Sequence, residues 1–211
     1  MRLAWLGMMA ACSACTGRKA PAPQPLAVVL VYCGETSWIG SEDYQSHDTD
    51  AVYTGVLKPL EAALDTSGLA GLHGTFAAIE YNHATFTKVP RESLAAMHGR
   101  QLGTQHDYVG WLEHDLVAGV TAGLDELGKT PATRRVMIVV GDGNAMGQPA
   151  PLVALKARAA REHIEIIAIA VQSPVASREP KDIGTLVEQP RVLASTAELP
   201  AELASVAASL R

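Results

Sequence analysis

Cysteine is scarce in this 211-residue chain, and two of its three cysteines, Cys12 and Cys15, fall within the first fifteen residues. That leaves Cys33 alone for the folded part, which excludes an internal disulfide. Aromatic residues make up 5% of the chain, too few for an aromatic-lined cofactor pocket. Abundant alanine and glycine point instead to closely apposed helices and strands. The formal charge is −5 and no stripe of lysine and arginine is present, which disfavours electrostatic capture of nucleic acid. The amino-terminal apolar run falls short of the ~20 residues that a membrane-spanning helix needs. Neither a Gly-x-Ser-x-Gly elbow nor a phosphate-binding P-loop occurs, Gly141-Asp142-Gly143-Asn144 is too short for a dinucleotide-binding turn, and there is no internal repeat.

What is present suffices for one good core: 48% of residues are hydrophobic and 18% charged, and a chain of this length defaults to a single domain. The amino terminus reads as an export signal, because Arg2 precedes an apolar run, Leu3 to Ala11, followed by small residues. Met9-Ala10-Ala11-Cys12 and Cys12-Ser13-Ala14-Cys15 both resemble the site at which bacterial lipoproteins are cleaved and acylated, so Cys15 and Cys12 are the candidate lipidation sites. The expectation is an exported protein, lipid-anchored to the bacterial cell envelope and touching the membrane only through that anchor. A secreted or periplasmic protein is the alternative, and an uncleaved cytoplasmic terminus a further one. Residues 1–15 are then the signal, 16–25 a proline-rich tether that forms neither helix nor central strand, and 26–211 the folded domain.

Within that domain, Leu26–Tyr32, Val136–Val140 of the strand Arg135–Val140, and Ile164–Val171, interrupted only by Glu165, are apolar runs too continuous for one-faced strands, and they predict central parallel strands buried on both sides. Apolar residues at helical spacing predict a helix over Asp50–Asp65, kinked or split by Pro59 and ending near Gly68. Thr75–Val89 reads as a hairpin about Asn82-His83, which implies one antiparallel strand, most economically at a sheet edge. The spacing predicts a long helix from Asp107 to Gly128, a second over Leu152–His163 opened by Pro151, and a terminal one over Leu199–Leu210 opened by Pro200. A short strand is expected at Arg191–Ala194. This alternation gives an α/β fold: a doubly wound, mostly parallel sheet with helices on both faces.

Two of these strands run straight into polar loops, Cys33-Gly34-Glu35-Thr36-Ser37 and Gly141-Asp142-Gly143, at the carboxyl ends where α/β sheets bind ligands. From Leu26 to Arg211 the chain resembles the von Willebrand factor A (vWA) domain. The family implies a doubly wound Rossmann-like sheet with an antiparallel edge strand, and often a metal-ion-dependent adhesion site (MIDAS). There, an Asp-x-Ser-x-Ser loop meets a threonine and an aspartate from two further loops, and the bound ion takes its last ligand from a carboxylate of a partner protein. The resemblance aligns the first motif with Cys33 to Ser37, the threonine with Thr104 and the aspartate with Asp142.

Cys33 thus stands where the first carboxylate belongs. A neutral thiol is a poor substitute, since Mg²⁺ demands hard oxygen donors in octahedral geometry. The expectation is a domain without a standard metal site, with at most weak Mg²⁺ or Mn²⁺ binding. It is a non-catalytic module that binds another protein through Glu35, Ser37, Trp38, Thr104, Asp142 and Asn144. One alternative keeps a metal, with Glu35 in place of the missing aspartate. Structural roles compete as well: Ser37 as a cap, Asp142 bonded to nearby backbone, Thr104 as a loop anchor, Trp38 packed on the sheet, and Cys33 as a small buried hydrophobe. A hydrolase with Cys33 as nucleophile is the remaining reading, but no arginine follows at phosphate-cradling distance and a reactive thiolate needs basic surroundings. His106 and His114, flanked by Asp107 and Asp115, lie roughly 12 Å apart along a helix, too far to share an ion. They are read as exposed polar residues, whereas Trp38 and Trp111 are the side chains of greater interest.

Overall fold

A computed structural model describes residues 24–34, 53–81, 85–103, 115–141, 149–172 and 182–211. Six strands form one sheet in the order β3-β2-β1-β4-β5-β6. They are β1 (Gln24–Cys33), β2 (Thr75–Tyr81), β3 (Thr85–Ser93), β4 (Ala132–Gly141), β5 (Ile164–Val171) and β6 (Arg191–Leu193). All neighbours pair in parallel except β2 and β3, so the hairpin supplies the antiparallel edge. β1 lies between β2 and β4, and every residue from Leu26 to Cys33 is buried. A strand flanked by two others and covered on both faces leaves no position for a solvated side chain.

The helices are α1 (Lys58–Thr66), α2 (Leu116–Gly128), α3 (Pro149–Arg161), α4 (Ile183–Leu186) and α5 (Leu199–Ser209). α2 lies against the face that carries Val31, Tyr81 and Met137, where Gly119 and Gly123 let it approach closely: a Cβ at either would overlap these side chains. α3 packs beside α2, and α4 beside α3. α1 and α5 pack together, and Glu61 of α1 and Tyr32 of the opposite face both hydrogen-bond Leu102. Helices therefore cover both faces, as the alternation of elements predicts.

Several boundaries differ from the expected ones for identifiable reasons. β1 begins at Gln24 rather than beyond Pro25; its pairing with β4 passes from Gln24↔Ala132 to Leu26↔Arg134, and a proline at a strand start removes no needed donor. β3 runs through Pro90 to Ser93, past the expected end at Val89, because an edge strand can spare that N–H. Pro59 does split the helix: a π-helical turn, Tyr53–Leu57, precedes α1, with Pro59 in its first turn. Gly68, in the left-handed region with φ 83°, follows the end of that helix.

The long helix starts at Leu116 and not at Asp107. Asp115 is its N-cap, with non-helical backbone angles and a side chain that accepts the Ala118 N–H at 2.8 Å. α3 opens at Pro149, so Pro151 sits third in the first turn, where backbone N–H groups have no helical partner anyway. The same helix ends at Arg161, and His163 takes a positive φ of 53°. α4 was not expected; four residues are too few to show a period. Among the described residues, no helix is long and apolar enough to cross a membrane.

Candidate functional site at the carboxyl ends of the strands

At the top of the sheet, Cys33 of β1 lies opposite Tyr81 of β2, and Gly34 N–H donates to Tyr81 O at 3.1 Å. Gly141, the last residue of β4, comes so close that a Cβ built on it would stand 3.4 Å from Cys33 Cβ and overlap the Tyr81 hydroxyl. Only glycine permits this approach. Cys33, Tyr81 and Gly141 thus form a closed floor, all with no more than trace exposure. Full burial makes Cys33 the small hydrophobe of the sequence reading and does not fit a nucleophile, which must be reached by substrate.

One residue back, the opposite face carries a polar cluster. Tyr32 Oη lies 3.3 Å from Glu80 Oε2 and donates to Leu102 O at 3.1 Å. Lys88 of β3 places Nζ 3.3 Å from Glu80 Oε2, and the carboxylate is 1% exposed. Tyr32 and Glu80 are register partners, and the ion pair places the Lys88 side chain beside them. All three side chains therefore share one face. Glu80 Oε1 rests against Gly34, where any side chain would collide with it.

The segment before residue 104 is attached to the same end. Glu61 of α1 accepts the Leu102 N–H at 2.6 Å. Burial raises the Glu61 carboxyl above its ordinary pKa, while backbone hydrogen bonds from Leu102 and Gly103 and the charge of Lys58 act in the opposite direction.

The structure thus brings Gly34 and Gly141 together beside Tyr81 and ties Leu102, next to Gly103, to the same end through Tyr32; Gly34, Gly103 and Gly141 are the described residues immediately before Glu35, Thr104 and Asp142. Glu35, Ser37, Trp38, Thr104, Asp142 and Asn144 themselves lie outside the described residues, as do Cys12, Cys15, His106, Asp107, Trp111 and His114. Sequence reasoning missed Tyr32, Glu61, Glu80 and Lys88. The available signal was the single glutamate in the apolar run Phe-Ala-Ala-Ile-Glu-Tyr, with a lysine across the hairpin.

Among the described residues, the donors at this end do not suit a hard divalent ion of the family type. Cys33, which the resemblance aligns with the first carboxylate, is buried, and Glu80, the carboxylate that rests against Gly34, is paired with Lys88. Among the described residues, no group of three or more His, Cys, Asp or Glu side chains could hold a metal.

No family model matches the sequence, and no curated protein matches it. Solved structures do match in fold. A von Willebrand factor type A protein from Catenulispora acidiphila is 15% identical with a TM-score of 0.60, the match covering 89% of this chain and 43% of that one. Proximal thread matrix protein 1 of the mussel byssus, solved with a zinc-occupied MIDAS motif, is 16% identical with a TM-score of 0.57, covering 89% and 48%. The pilus adhesin SpaC of Lactobacillus rhamnosus GG is 14% identical with a TM-score of 0.61, covering 90% and 31%. The chain spans less than half the length of each of these proteins. With its parallel sheet, antiparallel edge hairpin and helices on both faces, the chain has the von Willebrand factor A-like fold.

Proposed function

We propose that this is an exported, non-catalytic domain that binds another protein at the cell envelope through the loops at the carboxyl ends of its strands. It is tethered by a lipid on Cys15 or Cys12. The observation that carries the reading is the convergence of Gly34, Gly103 and Gly141 on one end of the sheet. The loops that begin at Glu35, Thr104 and Asp142 start from neighbouring points, so one partner can engage them together. The adhesin and byssal matrix protein among the fold neighbours support an interaction role. Glu35, Trp38 and Asn144 are the contact residues of choice, with Ser37, Thr104 and Asp142 alongside them.

The test compares the full chain with Trp38→Ala and Asn144→Ala in capture from envelope extracts. A partner retained by the parent chain and lost from variants of unchanged melting temperature supports the reading, and identical capture by all three defeats it. Mass spectrometry of the mature amino terminus checks the anchor, with an acylated Cys15 or Cys12 expected and an unmodified terminus ruling it out. A second reading, a weak Mg²⁺ or Mn²⁺ site in which Glu35 replaces the missing aspartate, draws support from the zinc-bearing fold neighbour. Metal-dependent thermal stabilisation distinguishes the two.

A further inference from the structure

The segment that leads to residue 104 is held from two sides. α1 presents two carboxylates one turn apart. Asp65 Oδ1 accepts the Gly99 N–H at 2.8 Å and lies 2.6 Å from His98 Nδ1, while Glu61 Oε1 accepts the Leu102 N–H at 2.6 Å. From the sheet, Tyr32 Oη donates to Leu102 O at 3.1 Å. Leu102 is itself 1% exposed. Its N–H and its carbonyl are thus withdrawn from water and satisfied by two side chains from different layers of the fold.

We propose that Glu61 and Tyr32 are positioning residues: together they clamp Leu102 and Gly103, and so fix the orientation of the last described residues before the proposed binding loops. This inference rests on reading those loops as the partner-binding end. Burial of the Leu102 side chain alone would set the depth of the segment but not its orientation, because hydrophobic attraction has no direction. Hydrogen bonds on both sides of the residue do set it. Tyr32 occupies the end of a strand that is otherwise aliphatic from Leu26 to Val31, and an aliphatic residue there would fill the space without reaching Leu102. Glu61 stays on the inner side of α1 despite the cost of desolvating its charge.

The clamp has an acid-sensitive member, since a protonated Glu61 accepts hydrogen bonds more weakly. Charged groups on the elements around it are Lys58 and Asp65 on α1, His98 and Arg100 in the held segment, and Glu80 and Lys88 in the sheet. Glu198 precedes α5, and Glu202 lies on α5. Arg100 is paired with Glu92, Glu202 with Arg191 and Glu80 with Lys88. Lys58 is the group whose charge acts directly on Glu61.

Amide hydrogen exchange and amide shifts, read residue by residue in the full chain, test the proposal with Glu61→Ala, Glu61→Gln and Tyr32→Phe. In Glu61→Ala and Tyr32→Phe the Leu102 and Gly103 amides should exchange about tenfold faster, the equivalent of one hydrogen bond, while Val28–Val31 keep their protection. Glu61→Gln should retain protection at Leu102 but lose the shift that acidification produces there in the parent chain. Unchanged exchange at Leu102 and Gly103 in either truncation, or equal acceleration throughout β1, overturns the clamp. No partner enters the measurement, so its outcome stands apart from whether the loops bind a protein.

Discussion

Lys88 Nζ lies 3.3 Å from Glu80 Oε2, and the carboxylate it neutralises is almost fully buried beneath the first loop. Removing the lysine alone leaves a buried carboxylate without its opposite charge, whereas removing both charges does not. Lys88→Met is expected to lower stability by about 3 kcal/mol, and the Glu80→Gln/Lys88→Met pair to recover part of that loss. Urea denaturation of the four chains completes the cycle. A double variant as unstable as the sum of its parts would mean that the two side chains act independently.

Gly141 is expected to tolerate no side chain. An alanine there overlaps the Tyr81 hydroxyl and presses on Cys33, and such overpacking costs about 1–3 kcal/mol. Because the worst overlap is with the phenolic oxygen, Tyr81→Phe should relieve much of it. The double variant Gly141→Ala/Tyr81→Phe is therefore expected to melt above Gly141→Ala alone. If adding Tyr81→Phe lowers the melting temperature further, the hydroxyl is not the obstacle.

Much of this architecture is legible in the sequence because the central strands are largely apolar, β5 being interrupted only by Glu165. Ile164–Val171 is found with the boundaries its composition predicts, and the hairpin falls at the edge, where an antiparallel strand costs least. Pro59 signals a break because proline fits the first turn of a helix but not its interior. At Pro25 and Pro90 the strands continue because one lies at a strand start and the other on an edge. Asp107 reads as the start of the long helix, whereas the backbone angles and side-chain hydrogen bond at Asp115 make that residue the cap. The polar cluster beneath the loops was hidden for another reason. Tyr32, Glu61, Glu80 and Leu102 are far apart in the chain, and only strand register and the placement of α1 bring them together.

Glu61 makes stability depend on pH in a stated direction. Burial raises its folded pKa above the ordinary carboxyl value of 4.5, so the native chain binds its proton more tightly than the unfolded chain does. The stability this contributes is fully present below the unfolded pKa and is lost as pH rises through the folded one. Glu61→Gln has no such proton to lose. Its stability relative to the parent chain should therefore rise as pH climbs from about 4.5 through the raised value, and then level off. Denaturation midpoints measured in parallel across that window check this. A difference that stays flat, or that falls with rising pH, contradicts it.

Cys33 decides the last expectation, which concerns metal. With a buried thiol at the first ligand position and Glu80 engaged by Lys88, the parent chain should show no rise in melting temperature with Mg²⁺ or Mn²⁺. Cys33→Asp restores the carboxylate that the family pattern places there. Without metal this variant should be less stable than the parent, since it buries a charge beside Tyr81 and Gly141. With metal it should regain stability, by about 2.7 kcal/mol at a hundredfold excess over the dissociation constant. Asp142→Ala in the same background should abolish the gain. A metal-dependent rise in the parent chain, lost in both Glu35→Gln and Asp142→Ala, would instead establish that Glu35 serves as the missing ligand.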